Sequence, residues 1–528
     1  MKFLRNNILI ICILLVAAYM RFYKIDQYMT FLGDEGRDAI TIFNILHGKL
    51  TLLGPTASVG GFFMGPAYYY LVTPFFWLFN YSPVGASVMV ALLGVVTVWL
   101  IYKIGTEFFS QKAGLIAAFL YALSPLVIIY SHSSWNPNVM PFFTLVTLYC
   151  LYKGIQRKSL ALLVLCGFLF GIDIQLHYVE LFIGPVIILY VILLHMYEMQ
   201  TVFSWQLIQR VVKDGIGIFI GFLLGFSPFL AFEIRHEFLN SQSILQFIFQ
   251  SGETGTSGNY FMTVWDIIVR FFGRLLFYFP LRQDFGLYNP TLVSLWYMLV
   301  VVVTILCLGY LCIRFKQSFT DKKRFQQMLL VVLWLVIGIL FFGFYKRSIY
   351  DYYFEFMFPL PFLLVGGLLA DAYDIQLFKL KNGKITMFIK AVVVLSLVGM
   401  TSIFYYFSPL NVSPNIQLQK TKDIADFVLD KTDGKAFNFA LITGGNSDHG
   451  YRYFFMREGR EPVVIQNPMI DPKRETVTDQ LLVICDSLPC SPLGHSLWEI
   501  AGFGRAEIVG HWKVAFVEVY KLVPYTEK

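Results

Sequence analysis

From the first residues to about position 406, apolar runs of bilayer-spanning length alternate with short polar turns. The runs lie at 6–19, 84–102, 113–130, 138–152, 160–175, 178–195, 214–233, 291–313, 327–344, 353–370 and 386–406. Each predicts a helix buried in lipid or in other helices. Together they predict an all-α polytopic bundle of about 11 transmembrane helices. A further apolar stretch, "GPAYYYLVTPFFWLFN" at 65–80, differs from the rest. It carries Pro66, Pro74 and the run Tyr68-Tyr69-Tyr70, which suit an interfacial or re-entrant helix better than a simple span.

Charge decides the parity. Suppose that the N-terminus is cytoplasmic and that 65–80 does not cross. The inside loops are then "YKIGTEFFSQK", "YKGIQRKS", 196–213, "RFKQSFTDKKRF" and "FKLKNGKI", which hold most Lys and Arg outside the tail. "SHSSWNPN", the turn near His177, the long 234–290 loop and "FYKRSIYD" face outward. This is the positive-inside pattern, and a crossing at 65–80 would invert every later loop. Residues 20–83 therefore form one large outer loop. The first run follows Lys2 and Arg5, but no small-residue cleavage site comes after it, so it reads as a retained helix. The expected location is a plasma (inner) membrane, with the C-terminal domain extracytoplasmic or periplasmic.

The rhythm changes after 406, where charge rises and apolar runs shorten. Within 407–528, "TKDIADFVLDKT" reads as an amphipathic helix and "FNFALIT" as a buried strand. "GGNSDHG" is a turn, "YRYFFMREG" a helix with a glycine stop, and "PVVIQ", "QLLVICD", "AEIVG" and "VAFVEVYKL" further strands. The organisation is thus a membrane domain, 1–406, and a soluble extracytoplasmic α/β domain, 407–528. A lone "GG" before a helix is too weak a signal for a nucleotide site.

Composition sharpens this picture. Of 528 residues, 57% are hydrophobic and 14% charged, too little charge for a soluble chain of this length. The formal net charge of +7 comes from Lys and Arg dispersed through short loops, which argues against a nucleic-acid partner. Of seven cysteines, Cys150, Cys166, Cys307 and Cys312 sit in or near apolar runs as packing residues. Cys485 and Cys490 in "CDSLPC" are close enough for a small disulfide loop, or are two reduced thiols. No metal-ligand spacing accompanies them.

The polar residues at the outer face carry the candidate chemistry. "FLGDEGRDAI" at 31–40 places Asp34, Glu35, Arg37 and Asp38 just beyond the first span. His132 and Ser134 follow in "SHSSWNPN", then Asp173, His177, Tyr178 and Glu180 in "GIDIQLHYVE". Lys346, Arg347, Tyr350, Asp351, Tyr352 and Glu355 lie in "FYKRSIYDYYFE". Ionisable groups at membrane helix ends are costly and mark function by default. A carboxylate, Asp34 or Glu35, can take a proton from an attacking hydroxyl. Lys346 or Arg347 can hold a phosphate and stabilise leaving-group charge, with His177 assisting. Each has a purely structural alternative. Asp34 or Glu35 can cap a helix starting near Arg37, Arg37 and Asp38 can pair locally, and Lys346 and Arg347 can snorkel. His177 and Glu180 can satisfy each other across one turn, and the tyrosines can form an aromatic belt.

"GDEGRD" soon after the first span, then "GGFFMGPAYYYLVTPFFWLF" and "QKAGLIAAFLYALSPLVIIYSHSSWNPN", resembles the start of the membrane glycosyltransferases of the GT-C superfamily. The protein mannosyltransferase-like group, glycosyltransferase family thirty-nine, with its bacterial aminoarabinose-transferase relatives, is the nearest resemblance. It is good over 1–200 and rests on layout beyond, where "YKRSIYDYYFEFMFPLP" occupies the place of a basic or aromatic loop before a late span. The resemblance implies inverting transfer of a monosaccharide from a polyprenyl-phosphate-linked donor, at the extracytoplasmic face, to a glycan, lipid or protein acceptor. It maps the group's acidic pair onto Asp34 and Glu35. Donor and substrate contacts would fall to Arg37, His132, His177, Tyr178, Glu180, Lys346, Arg347 and Tyr352. The second outer loop lacks the group's acidic residue, and the tryptophan-aspartate signature of the oligosaccharide transferases is absent. No cofactor is therefore expected, and a divalent cation, if one is used, would fall on Asp34. Two other readings compete: a transporter or flippase for a polyprenyl-linked glycan, and a non-catalytic cell-envelope assembly protein.

Overall fold

A computed structural model describes residues 2–57, 60–252, 254–255, 259–374 and 383–526. All eleven apolar runs are helical, two of them broken by one residue, at Ser124 and Phe358. Six helices are long and apolar enough to cross a membrane: Val84–Phe108, Tyr178–Met199, Trp205–Arg235, Pro290–Ser318, Lys322–Phe344 and Gly383–Tyr406. The count is eight if two bent pairs each form one span, Gln111–Leu123 with Pro125–His132 and Asp351–Met357 with Pro359–Tyr373. Both bends fall where a proline opens the second helix, because its ring blocks continuation of the hydrogen-bond ladder. Asn7–Phe22 and Leu160–Leu176 are apolar but shorter. The chain is a multi-pass membrane protein. Most of the basic loop expected at 378–385 lies outside the described residues.

Small residues set the closest helix contact. Glycines recur at four-residue spacing in Leu160–Leu176, at 167 and 171, and in Trp205–Arg235, at 217, 221 and 225. A Cβ on Gly167 would lie 1.8 Å from the Ile218 carbonyl oxygen, and one on Gly221 would lie 1.9 Å from that of Val164. Close approach through small residues is how membrane helices gain contact when lipid is as apolar as their side chains.

The stretch at 65–80 forms the helix Ala67–Leu78. Its 12 residues span about 18 Å, short of a bilayer core. Residues 234–290, expected as one outer loop, are instead largely helical: Leu239–Gln250 and Tyr260–Phe277. The second buries Val264, Ile267, Phe271, Phe272, Leu275 and Leu276 in the bundle. Asp266, Arg270 and Arg274 interrupt its apolar run, so it reads as a loop by hydropathy although the charges repeat every four residues on one face.

The tail forms a four-stranded mixed sheet. Its strands are β1 (Asn438–Ile442), β2 (Leu481–Cys485), β3 (Ala506–Val514) and β4 (Val517–Pro524), in the order β1-β2-β4-β3. β1 and β2 are parallel and the other pairs antiparallel. Side chains alternate between two apolar layers, Phe439, Leu441, Leu482 and Ile484 on one face and Ala440, Leu481, Val483 and Cys485 on the other. The helices Gln417–Lys431 and His449–Arg457 match the expected ones. Two strand expectations need correction. "PVVIQ" is extended and its Val463 N–H donates to the Phe437 carbonyl at 2.8 Å, but the Asn438 side chain takes the Val463 carbonyl at 2.7 Å, so no strand ladder continues. "VAFVEVYKL" is broken by a tight turn at Ala515, whose φ of 52° reverses the chain between β3 and β4. Cys485 and Cys490 form a disulfide.

Candidate functional site at the first turn of the helix Gly33–Leu46

The stretch "GDEGRD" opens the helix Gly33–Leu46, with Asp34 and Glu35 in its first turn, where the helix dipole favours negative charge. The two acids have different surroundings. Glu35 is a cap: its Oε2 accepts the Leu32 N–H at 3.0 Å and its Oε1 accepts the Thr30 hydroxyl at 2.5 Å. Burial pushes its carboxyl up, against those hydrogen bonds. The Asp34 side chain is 57% exposed and meets the Arg37 guanidinium at 2.9 Å. Arg37 also reaches inward, where its Nε and Nη2 donate to Asp38 Oδ1 at 3.0 and 2.8 Å. The Tyr69 hydroxyl, from the short helix Ala67–Leu78, donates to the same oxygen at 3.2 Å. Asp38 is buried, its Oδ2 has no protein partner, and burial pushes it up to about 6 against the charge of Arg37. Both structural readings thus hold, for Glu35 as cap and for Arg37–Asp38 as local pair. Asp34 is left as the outward carboxylate.

"SHSSWNPN" is the hub that ties this turn to the other candidate residues at this end of the bundle. Ser133 Oγ lies 2.9 Å from the Thr30 hydroxyl, and Ser134 Oγ lies 2.7 Å from that of Tyr68. Trp135 packs edge-on against Tyr352 at 4.5 Å. Asn136 donates to the Leu176 carbonyl, next to His177, and Asn138 donates to the carbonyls of Tyr130 and Ser133 at 2.8 Å. His177 then lies among rings, 4.2 Å from Tyr178, 5.4 Å from Tyr353 and 5.9 Å from Tyr352.

The remaining expected residues scatter. His132 is buried, donates from Nε2 to the Met20 carbonyl at 3.0 Å and stacks on Tyr28. Glu180 is buried and accepts the Thr144 hydroxyl at 2.7 Å, so it does not pair with His177, whose Nδ1 takes the Val179 N–H. Lys346 and Arg347 are exposed, in the segment after the isolated pairing of Thr254 with Tyr345.

Two basic residues that sequence reasoning missed come from Tyr260–Phe277. Arg270 donates from Nε and Nη2 to Asp351 Oδ1 at 3.0 and 2.7 Å, and Arg274 Nε donates to Oδ2 at 2.8 Å. One buried carboxylate thus anchors two guanidiniums beside Tyr352, leaving one positive charge in excess. Their four-residue spacing was the available signal. Among the described residues, no three His, Cys, Asp or Glu side chains converge as a metal shell, and Arg37 already occupies Asp34. The residues do not fit a divalent cation.

The tail rests on the helix Gly33–Leu46 beside Asp34. The Gly33 N–H donates to Asn446 Oδ1 and the Phe31 N–H to Gln417 Oε1, both at 3.0 Å. A Cβ on Gly33 would fall 2.1 Å from Ser447 Oγ, and one on Gly36 2.3 Å from the Gly450 nitrogen. The two glycines of "GDEGRD" are therefore what lets the "GGNSDHG" turn rest on this helix. Phe31 packs edge-on against Tyr453 and Phe454, and Tyr453 also meets Phe76. A cleft of about 110 Å³ remains, lined by Leu32, Gln417, Thr421, Asn446, Ser447 and Asp486, among others.

Comparison with known proteins gives two kinds of match. Residues 64–230 match the model of the dolichyl-phosphate-mannose-protein mannosyltransferase family. The chain superposes on ArnT from Cupriavidus metallidurans bound to undecaprenyl phosphate with a TM-score of 0.61 and 13% identity, covering 98% of each chain. The oligosaccharyltransferase AglB from Archaeoglobus fulgidus, in complex with an inhibitory peptide and a dolichol-phosphate, gives 0.53 and 12% identity, over 91% of this chain and 69% of that one. Curated protein sequences give no match. The chain has the GT-C fold.

Proposed function

We propose that the protein transfers a monosaccharide from a polyprenyl-phosphate-linked donor to an acceptor hydroxyl at the extracytoplasmic face of the membrane. The observation that carries this reading is the Asp34 carboxylate. It is exposed on the first turn of the helix Gly33–Leu46, beside the tail, in a chain that superposes end to end on a protein holding undecaprenyl phosphate. The Cys485–Cys490 disulfide supports an oxidising, non-cytoplasmic setting for the tail.

The proposed mechanism runs as a single displacement. The acceptor enters by the cleft between Leu32 and the tail. Asp34 takes the proton of its hydroxyl as the oxygen attacks the anomeric carbon. The bond between that carbon and the phosphate oxygen breaks, and the electron pair leaves with polyprenyl phosphate. One displacement inverts the anomeric centre. Arg37 holds Asp34 in place. The cationic edge formed by Arg270, Arg274, Lys346 and Arg347 holds the phosphate and stabilises its growing charge. Tyr352, Tyr178 and His177 supply a ring surface for the sugar or the lipid head.

The test supplies purified protein in detergent with a panel of polyprenyl-phosphate sugars labelled in the sugar. The expected result is consumption of one donor by the wild type, with release of polyprenyl phosphate, and none by Asp34→Asn. Consumption of no donor, or equal consumption by Asp34→Asn, rejects the reading.

A further inference from the structure

A second polar cavity lies at the other end of the bundle. The helix Met140–Arg157 starts beside the hub at Asn136 and ends at Lys158, and Leu160–Leu176 returns to His177. That return leg is about 25 Å long, so the cavity around Lys158 is a full helix length from the candidate site. It measures about 1160 Å³ and is lined by five cations, Lys158, Arg210, Lys213, Lys322 and Lys323, against three carboxylates, Glu198, Asp214 and Asp321.

The carboxylates are already engaged. Glu198 lies 3.0 Å from Lys322 and 4.0 Å from Arg210. Asp214 meets His195 Nε2 at 2.9 Å, and Asp321 caps the helix Lys322–Leu340 by accepting the Arg324 N–H at 2.7 Å. Lys158, Lys213 and Lys323 have no carboxylate partner among the described residues. His195 is 7% exposed and its Nδ1 is buried with no partner. The cavity thus holds unspent positive charge and an unmet imidazole nitrogen.

An apolar groove of about 310 Å³ lies on the same three helices that wall the polar cavity. It runs between Leu160–Leu176, Ile183–Met199 and Trp205–Arg235 and is lined by Phe170, Ile187, Val191, Gly215, Ile218 and Phe222, among others. On the last of these helices, Asp214 lines the cavity and Gly215 the groove. A Cβ on Gly215 would meet nothing within 4 Å, so that wall is open. A positive chamber at one helix end, with an apolar slot on the same three helices toward the bundle middle, has the charge and apolar surface that suit a lipid with an anionic head group.

We propose that this cavity and groove form a specific site for an anionic membrane phospholipid, its phosphate among Lys158, Lys213 and Lys323 and one acyl chain along Gly215. The site is independent of the transfer reaction proposed above.

Native mass spectrometry of the full chain, released from detergent containing phosphatidylglycerol or phosphatidylcholine, tests it. The wild type retains phosphatidylglycerol at least about tenfold better than phosphatidylcholine, since each lysine adds about fivefold at a membrane surface. The triple variant Lys158→Gln/Lys213→Gln/Lys323→Gln loses that preference. Gly215→Leu, which fills the groove, lowers retention of both lipids while its thermal midpoint stays at the wild-type value. Equal retention of the two lipids by the wild type overturns the proposal, as does an unchanged preference in the triple variant. Displacement of phosphatidylglycerol by millimolar inorganic phosphate, with Gly215→Leu behaving as wild type, also overturns it, because the site would then take a soluble anion. Failure of the donor-consumption assay leaves this result unaffected.

Discussion

Gly36 and Gly450 meet backbone to backbone, so that a Cβ on Gly36 would fall 2.3 Å from the Gly450 nitrogen and 2.5 Å from the His449 carbonyl carbon. Backbone cannot swing aside as a side chain can. Gly36→Ala should therefore lift the turn 443–450 off the loop helix and destabilise the fold by about 1–3 kcal/mol. Gly445→Ala, in the same turn, meets nothing within 4 Å and is the matched control. Limited proteolysis of the tail, together with the thermal midpoint, should separate the two. Identical protection of both variants would mean that the tail does not rest on Gly36.

Asp34 and Glu35 should separate cleanly. Asp34→Asn should lower turnover by about 10²–10⁴-fold with no change in thermal midpoint, because the side chain is exposed. Glu35→Gln keeps an acceptor for the Thr30 hydroxyl and removes a charge that burial already disfavours, so its midpoint should not fall. Its turnover should fall less. A Glu35→Gln enzyme as inactive as Asp34→Asn, at an unchanged midpoint, would move the base to Glu35.

Asp351 is the sole carboxylate partner of Arg274 and of Arg270 among the described residues. Asp351→Asn should lower stability by about 3 kcal/mol, because two partly buried guanidiniums lose their counter-charge. Adding Arg274→Gln should restore part of that loss, since one positive charge then goes as well. Thermal unfolding of the single and double variants measures this. A double variant less stable than Asp351→Asn would show that Arg274 contributes through its Phe279 carbonyl contact at 2.7 Å and not through the ion pair.

The buried Asp38 should make stability depend on pH. Its folded carboxyl is pushed up from 3.8 to about 6 by burial, so the folded state binds the proton more tightly than the unfolded chain. The stability supplied by protonation is full below the ordinary value and is lost as pH rises through about 6. Glu35 shifts in the same direction for the same cause. The wild-type midpoint should thus carry a component that falls between about pH 4 and about pH 7, and Asp38→Asn should lack the Asp38 share. An identical profile in the variant would show that Asp38 does not titrate in this range.

The membrane architecture was legible because hydrophobicity is a local, periodic property. Any helix in lipid must be apolar for its whole length, so the eleven runs, the short 65–80 helix and the β1 and β2 strands all stood out. The first-turn acids stood out for a similar reason, since charge beside a span is costly and conspicuous. The amphipathic helix Tyr260–Phe277 did not, because its arginines broke the apolar run that hydropathy detects.

Contacts between distant segments were not legible. Gly33 meets Asn446 across 413 positions and Arg270 meets Asp351 across 81. No residue near either partner marks the other. The sequence by itself determined which segments are apolar helices and which acids stand just beyond the first of them. Only the tertiary structure decided that Glu35 is spent as a cap, that Asp34 faces outward, and that the tail closes on paired glycines. Those outcomes depend on how helices stack and rotate, and packing of that kind leaves no period in the chain.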